Sequence, residues 1–395
     1  MDATYLDHAA TTPVRDEVVA AMAPYASEVF ANPSSLHGPG RRAQAALEEA
    51  RETIAAAIGA RRAEIRFVRG GTESDNLAIL GTCRARRTRH GHPPPLFVSA
   101  VEHSAVLEAA RHAAHVGDAR LTLLAVSPDG EVDLGPLRTA GPTAHPSTDP
   151  APVVSVMWVN NETGLVLPVE GVVEAARASS GTVHTDASQA VGKVAVDVSR
   201  VPVDLLTATG HKLGGPRGTG ILYMRDGQEV EPLNFGGGQE RGLRPGTEDV
   251  AGAVGLAEAV RLAVAEREES AARMERLRQC LEDGLRERVA GLRINGGAGT
   301  RACHVSSVGI SGIADGAALL MALDLEGLAV SGGSACHSGA GKGSHVIEAL
   351  YGADDDRVTV RYSFGRSTTL EDVERAVALT VRVVERLRDS TEDAA

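Results

Sequence analysis

Short apolar runs near residues 96–100, 121–126, 152–159, 182–186, 203–207 and 219–224 alternate with helical patterns over the first two-thirds of the chain. Strands separated in this way need crossover connections, which predicts a mostly parallel sheet flanked by helices, an α/β fold. From about Ala251 the rhythm changes. Leu256, Val260 and Val264, then Met274, Leu277, Leu281 and Leu285, fall at three- and four-residue steps and predict long helices. At 395 residues the chain exceeds one core's usual size, so a second, smaller domain is expected there. The proline-rich stretch from Thr139 to Pro152 breaks the alternation and reads as an exposed loop. The end, from Asp389 to Ala395, is acidic and small and reads as frayed.

In open α/β sheets, ligands bind outside the carboxyl ends of the strands, which directs attention to the residues that follow each run. Thr209-Gly210-His211-Lys212 follows Val203–Thr207, and Gly214, Gly215, Gly218 and Gly220 lead into Ile221-Leu222-Tyr223-Met224. A lysine between two apolar strands, among small residues, is expected to be partly buried. Burial lowers its pKa and makes the neutral amine available as a nucleophile. Upstream, Asp186 closes the strand candidate Thr182-Val183-His184. Arg69-Gly70-Gly71-Thr72-Glu73-Ser74-Asp75-Asn76 follows the strand candidate Ile65-Arg66-Phe67-Val68 and opens an apolar run, where amides and the Thr72 hydroxyl meet a helix's positive end. Each element alone is weak. Together they supply an amine for an aldehyde, a carboxylate for a ring nitrogen and a seat for a phosphate, the three requirements of pyridoxal phosphate (PLP).

The chain resembles the cysteine desulfurases of the NifS/IscS type, class V members of the fold-type I PLP-dependent enzymes. The motifs run from Tyr5-Leu6-Asp7-His8-Ala9-Ala10-Thr11-Thr12-Pro13 to Arg361-Tyr362-Ser363-Phe364-Gly365-Arg366-Ser367-Thr368-Thr369. Between them stand Asn32-Pro33-Ser34-Ser35, Val101-Glu102-His103, Val159-Asn160-Asn161-Glu162-Thr163-Gly164, the Lys212 segment, Gly236–Gly242 with Arg244-Pro245-Gly246-Thr247, and Ser331-Gly332-Gly333-Ser334-Ala335-Cys336. The resemblance implies a fold-type I transferase: a large domain with a mostly parallel seven-stranded sheet and a smaller α+β domain. The expected division is 16–252 for the large PLP-binding domain and 1–15 with 253–395 for the small domain bearing a mobile catalytic cysteine loop.

The resemblance also implies residue roles. Lys212, Cys336 and His103 are the expected catalytic residues, His103 stacking on the cofactor ring and assisting proton transfer. Asp186 is expected on the pyridine nitrogen, Gln189 on the phenolic oxygen, and Gly71, Thr72, Thr209 and His211 on the phosphate. Asn161 lies near the phenolic oxygen and the substrate carboxylate, and Arg361 clamps that carboxylate in bidentate fashion. Thr247 of the partner subunit reaches the phosphate, which implies a homodimer. The reaction implied converts L-cysteine to L-alanine, with sulfur passing to Cys336 as a persulfide and on to an acceptor protein.

Cys336 lies in Gly332-Gly333-Ser334-Ala335-Cys336-His337-Ser338-Gly339-Ala340-Gly341-Lys342-Gly343, too small and flexible to pack a core. His337 and Lys342 are close enough in sequence to lower its pKa. Cys83, Cys280 and Cys303 fit structural roles better, and no CxxC pair signals zinc or a disulfide framework, so no metal is expected. A reducing cytoplasm suits a free thiol. Neither a signal pattern nor an apolar run of membrane length is found. The formal charge of −12 argues against direct nucleic-acid binding, and Arg84, Arg86, Arg87 and Arg89 read as a solvated helix end. Gly192-Lys193 and Gly341-Lys342 lack the Ser or Thr of a P-loop.

His337 stands where Ser or Thr is common in the family, and Pro245 and Asp249 alter the surroundings of Thr247. Other readings stay open at this level. A class V aminotransferase would use Lys212 without a thiol, a selenocysteine lyase would tolerate loss of Cys336, and a scaffold would bind cofactor without turnover. The acceptor is equally open: iron–sulfur assembly, tRNA thiolation, cofactor synthesis, DNA phosphorothioation and sulfur-containing natural products all draw on such donors.

Overall fold

The computed structural model describes residues 3–139, 150–333 and 343–392. Cys336, His337, Lys342 and most of the proline-rich stretch lie outside the described residues. The strands are β1 (Thr4–Tyr5), β2 (Ile65–Val68), β3 (Pro95–Ser99), β4 (Arg120–Leu124), β5 (Val153–Ser155), β6 (Thr182–Asp186), β7 (Leu205–Thr209), β8 (Gly220–Met224), β9 (Leu292–Ile294), β10 (Val305–Ile310), β11 (Leu328–Ala329) and β12 (Val358–Ser363).

Seven of them form one sheet in the order β2-β8-β7-β6-β5-β3-β4. The pairs β3–β4, β3–β5, β5–β6 and β6–β7 are parallel, and β8 alone runs against its neighbours β7 and β2. The mostly parallel α/β sheet expected from the sequence is therefore present. β5, β6 and β7 carry no exposed position, as strands covered on both faces require.

Two runs differ in extent from the expectation. The run at 152–159 is a strand only over Val153–Ser155. Beyond it the backbone keeps just its β6 side, with Val156 N and Trp158 N donating to the carbonyls of His184 and Asp186. The run at 203–207 is shifted to Leu205–Thr209; just before it Asp204 N donates to Val183 O at 2.9 Å and the Asp204 carboxylate accepts from Val183 N at 2.9 Å. That shift sets Thr209 on the strand end and Lys212 in the turn after it.

β10 pairs antiparallel with β12 and β9, and β1 lies parallel to β11. Among the described residues the two largest apolar clusters form separate cores. One includes Val154, Leu206, Leu256 and Val260; the other gathers Leu6, Met274, Leu281, Val308 and Tyr362. The helix Val250–Ala265 thus packs on the first core and Arg267–Arg288 on the second. Glu266, at the junction, is held by both terminal nitrogens of Arg15 at 2.8 and 2.7 Å. Residues 6–15 tie the two cores to the Lys212 turn. Leu6 O accepts from Ser363 N, and Thr12 N and Arg15 N donate to His211 O and Gly214 O.

The arginine cluster is not simply a solvated helix end. Arg84 and Arg87 share Asp118 and Arg89 pairs with Glu229, while the half-buried Arg86 reaches Ala151 O and the Thr182 hydroxyl.

Candidate active site

Every sequence-predicted residue of the first core except Thr247 stands at or just beyond the carboxyl end of a strand running in the common direction. Gly71 and Thr72 follow β2, His103 follows β3, Asn161 follows β5, Asp186 ends β6 with Gln189 after it, and Thr209 ends β7 before His211 and Lys212. Parallel pairing collects these ends on one edge of the sheet.

The Lys212 turn is held tightly. Gly210 N donates to Thr219 O at 3.0 Å, and Leu213 N and Gly215 N both return to Gly210 O at 2.9 Å. A side chain at Gly210 would meet the Thr219 hydroxyl at 2.6 Å, and Gly214 has φ +78°, so glycine is required at both positions. Lys212 is half-buried and lines a cavity of about 370 Å³ with His8, Thr12, Lys193, His304 and Phe364. After burial, its charge is the next influence that lowers the pKa of His103 and of His211, the latter to about 4.

The corner expected to seat a phosphate is tightly packed. Gly70, at φ +98°, lies so close to β8 that a Cβ on Gly220 would meet its backbone at 2.9 Å. A Cβ at Gly71 would lie 3.3 Å from the Ser188 hydroxyl and 3.8 Å from the Thr209 Cβ. The helix that starts at Gly71 has no side-chain cap, so its first amides remain for a ligand.

Asp186 is buried, and its Oδ1 accepts from Ser188 N at 2.8 Å. Two further carboxyl groups are buried around it. Burial first, and the Asp186 charge next, hold Asp75 well above the ordinary carboxylate range. Burial pushes Glu102 up to about 8 against the Ser99 and Met157 donors that oppose the shift. Under the strand ends, His184 joins Ser155 through Nδ1 at 2.9 Å and Thr207 through Nε2 at 3.1 Å. Thr207 then donates to Ser74, and Ser74 to Ile221 O. The fixed carbonyl at one end orients every proton in this row, so His184 carries its proton on Nε2. Burial lowers its pKa to about 4, in keeping with a neutral ring.

Glu102 gives a pH prediction. Its pKa is raised on folding, so its contribution to stability is present in full below about pH 4.5 and is lost as pH rises towards 8. The stability of the parent relative to Glu102→Gln should fall between those limits by at most about 1.4 kcal/mol per pH unit. Urea unfolding of both proteins at pH 5, 6, 7 and 8 measures it; a constant difference would show that Glu102 takes no part.

His103 caps the helix Ser104–His115, its Nδ1 accepting from Ala105 N at 3.1 Å, which puts the proton on Nε2. Arg361, in β12, brings the second core to the same place. Its Nη1 donates to Asn161 O at 2.9 Å and Gly333 O at 2.7 Å, and its Nη2 to Asp7 at 2.7 Å. Its Nε and the Asn161 Oδ1 are buried without hydrogen-bond partners among the described residues. Gln189 Nε2 donates to Ala9 O at 2.8 Å while its Oε1 meets His304 Nε2 at 3.0 Å. Thr247 is exposed between Arg244, paired with Glu73, and Asp249, paired with Arg69; it is not brought to Lys212 within this chain.

Asp75, Glu102, His184 and His304 received no role from sequence reasoning. The first three stood inside quoted motifs, and adjacency to Asn76, His103 and Asp186 was the only signal. The remaining cysteines behave as expected. Burial pushes the Cys83 thiol up to about 12 and raises that of Cys303.

The aminotransferase class-V family model matches residues 4–376. An IscS-like cysteine desulfurase of Mycobacterium tuberculosis is 40% identical over 391 residues, covering 97% of this chain and 97% of that protein. A solved NifS-like protein superposes with a TM-score of 0.87 at 32% identity, over 98% of this chain and 100% of the other. A structure described as SspA in complex with cysteine gives a TM-score of 0.77 at 31% identity, over 91% and 98%. The chain belongs to the aminotransferase class-V family, among its cysteine desulfurases of the NifS/IscS type.

Proposed function

We propose that the edge formed by β2, β3, β5, β6 and β7 holds PLP and L-cysteine, and that Cys336 receives the sulfur. The chain's activity is that of a cysteine desulfurase: L-cysteine becomes L-alanine, and the sulfur passes to a protein cysteine as persulfide and on to an acceptor. The observation that carries the site assignment is that Asp186 ends β6 and Lys212 follows the adjacent β7, while Arg361, bonded to Asn161 O, keeps an Nε, and Asn161 an Oδ1, buried without a partner among the described residues.

The residues fit the cofactor. Gly71, Thr72, Thr209 and His211 would hold its phosphate, Asp186 its ring nitrogen, His103 its ring face and Gln189 its phenolic oxygen. When bound, it supplies the electron sink that loosens the Cα–H and Cβ–S bonds. Lys212, as a neutral amine, takes the α-proton and returns it. Arg361 is preset by the Asn161, Gly333 and Asp7 contacts, which leave Nε and one N–H of Nη2 as adjacent donors for the substrate carboxylate.

Both flanks of the cysteine segment are tied to this place. Gly333 O accepts from Arg361, and the Ser344 hydroxyl donates to Glu162, next to Asn161. Cys336 is three residues past Gly333, a reach of at most about 11 Å.

A homodimer is part of the proposal, with Thr247 of the partner subunit completing the phosphate seat. Exposed Leu36 (90%) and Phe235 (88%) support it, since burial by a second copy would cover them. Of the expected division into 16–252 and 1–15 with 253–395, the clusters support a small unit holding Leu6 and the helix from Arg267 onward, while Ala253, Leu256 and Val260 pack on the first core instead. No helix among the described residues is long and apolar enough to cross a membrane. A reducing cytoplasm would suit the Cys336 thiol.

Protein loaded with PLP and given L-cysteine should release alanine, with sulfide appearing when a reductant is added. A keto acid made from an amino-acid/keto-acid pair would instead mark an aminotransferase. Selenide from selenocysteine with no alanine from L-cysteine would mark a lyase, and cofactor binding without any turnover a scaffold.

A further inference from the structure

His304 enters the site from the second core. It immediately precedes β10, and its carbonyl accepts from Phe364 N at 2.9 Å, so its backbone is fixed beside β12. The side chain is buried and makes one hydrogen bond among the described residues, to Gln189, which lies 115 residues earlier and follows β6.

Donor and acceptor logic fixes this contact. Ala9 C=O can only accept, so the Gln189 amide nitrogen must face it, at 2.8 Å. The Gln189 Oε1 then faces His304, and the ring must carry its proton on Nε2 to donate across 3.0 Å. The other ring nitrogen, Nδ1, is buried without a partner among the described residues, as the bare lone pair of a neutral ring would be. Burial first, then the charges of Lys193, Lys212 and Arg361, hold the imidazole well below its ordinary pKa, in keeping with a neutral ring. One N–H of Gln189 is spent on Ala9, and one remains.

We propose that His304 is a positioning residue for the desulfurase reaction: its Nε2–H holds Gln189 with the amide nitrogen, not the oxygen, towards the cofactor's phenolic oxygen. The inference rests on the reading that Gln189 meets that oxygen. A flipped Gln189 would set its carbonyl against a negative oxygen and against Ala9 O, two repulsions in place of two hydrogen bonds. A neutral histidine secures the orientation without adding another positive charge next to Lys212. Lysine or arginine at this position would compete with Asp186 and the phosphate for the electrostatics of the site.

Four proteins test it: His304→Leu, His304→Gln, Gln189→Ala and the Leu/Ala double variant. Binding of PLP to each apo-protein, and the pH midpoint of the bound cofactor's visible absorption, are measured beside alanine release. His304→Leu is expected to weaken PLP binding about tenfold, the scale of one hydrogen bond, and to move the pH midpoint. His304→Gln, which keeps a donor, should stay within about threefold of the parent. The double variant should match Gln189→Ala alone, because the histidine acts only through the glutamine. Nitrogen-15 spectra of histidine in the parent apo-protein should place the His304 proton on Nε2 throughout pH 6–8. A His304 proton on Nδ1, or a His304→Leu effect of equal size with and without Gln189, would overturn the proposal while leaving Gln189 in place. If Gln189→Ala moves neither the affinity nor the midpoint, the reading of Gln189 itself fails, and the role of His304 with it.

Discussion

Lys212→Ala protein is expected to release alanine from L-cysteine at least about a thousandfold more slowly than the parent, the loss of a proton carrier and of the amine that holds the cofactor aldehyde. The structure makes the substitution a clean one. The turn is closed by backbone bonds among Gly210, Leu213, Gly215 and Thr219, and by Thr12 N on His211 O, none of which uses the lysine side chain. The fold should persist, and the thermal midpoint of the apo-protein should shift by no more than a few degrees. Borohydride should fix a pyridoxyl group to the Lys212 peptide in the parent and leave none on the variant, as mass spectrometry of the digest would record. Activity in the variant within tenfold of the parent would remove Lys212 from the chemistry.

How much of this was legible in the sequence depends on whether the determinant is local. The strand–turn–helix order that sets Gly71, Asp186 and Lys212 at strand ends is local, and periodicity with glycine spacing was enough to read it. The seven strands were each read within a few residues; the error lay in extents. At 152–159 the apolar run continues past the point where β3 stops pairing, and at 203–207 pairing with β8 carries the strand on to Thr209. Neither event has a signature in the run itself. The buried acids and His304 were out of reach for another reason. Whether Asp75 or Glu102 is solvated depends on which distant strands close over it. The partner of His304 is 115 residues away on the other sheet's side of the site. The arginine cluster was read only in part: Arg87 and Arg89 are exposed at the helix end, but Asp118, Glu229 and Thr182 come to the cluster only after folding.

Cys336→Ser protein is expected to lose sulfur transfer to an acceptor altogether, with alanine release falling at least about a thousandfold, because serine cannot accept sulfur from the substrate. No other thiol is placed to substitute. Cys83 is buried with a pKa pushed up to about 12, which leaves only about one thiolate in 10⁵ at pH 7, and burial raises Cys303 as well. Cys280 sits on the helix Arg267–Arg288 against the second core, away from the strand ends that carry Lys212 and Asp186. The flanks of the Cys336 segment, by contrast, are fastened at Gly333 to Arg361 and at Ser344 to Glu162, next to Asn161, and Arg361 and Asn161 are the residues proposed for the substrate carboxylate. Parent protein treated with L-cysteine should therefore carry an extra sulfur, about 32 Da, on the Cys336 peptide and on no other, and should lose it when an acceptor protein is added. The serine variant should still bind PLP with the parent's affinity, since none of the cofactor contacts proposed above uses the thiol. Persulfide found on Cys83, Cys280 or Cys303 in the parent, or sulfur passed to the acceptor by the serine variant without free sulfide, would place the transfer elsewhere. Selenide released from selenocysteine by the serine variant at the parent rate would restrict the role of Cys336 to sulfur, where the bond to be broken is stronger and the thiolate attack is needed.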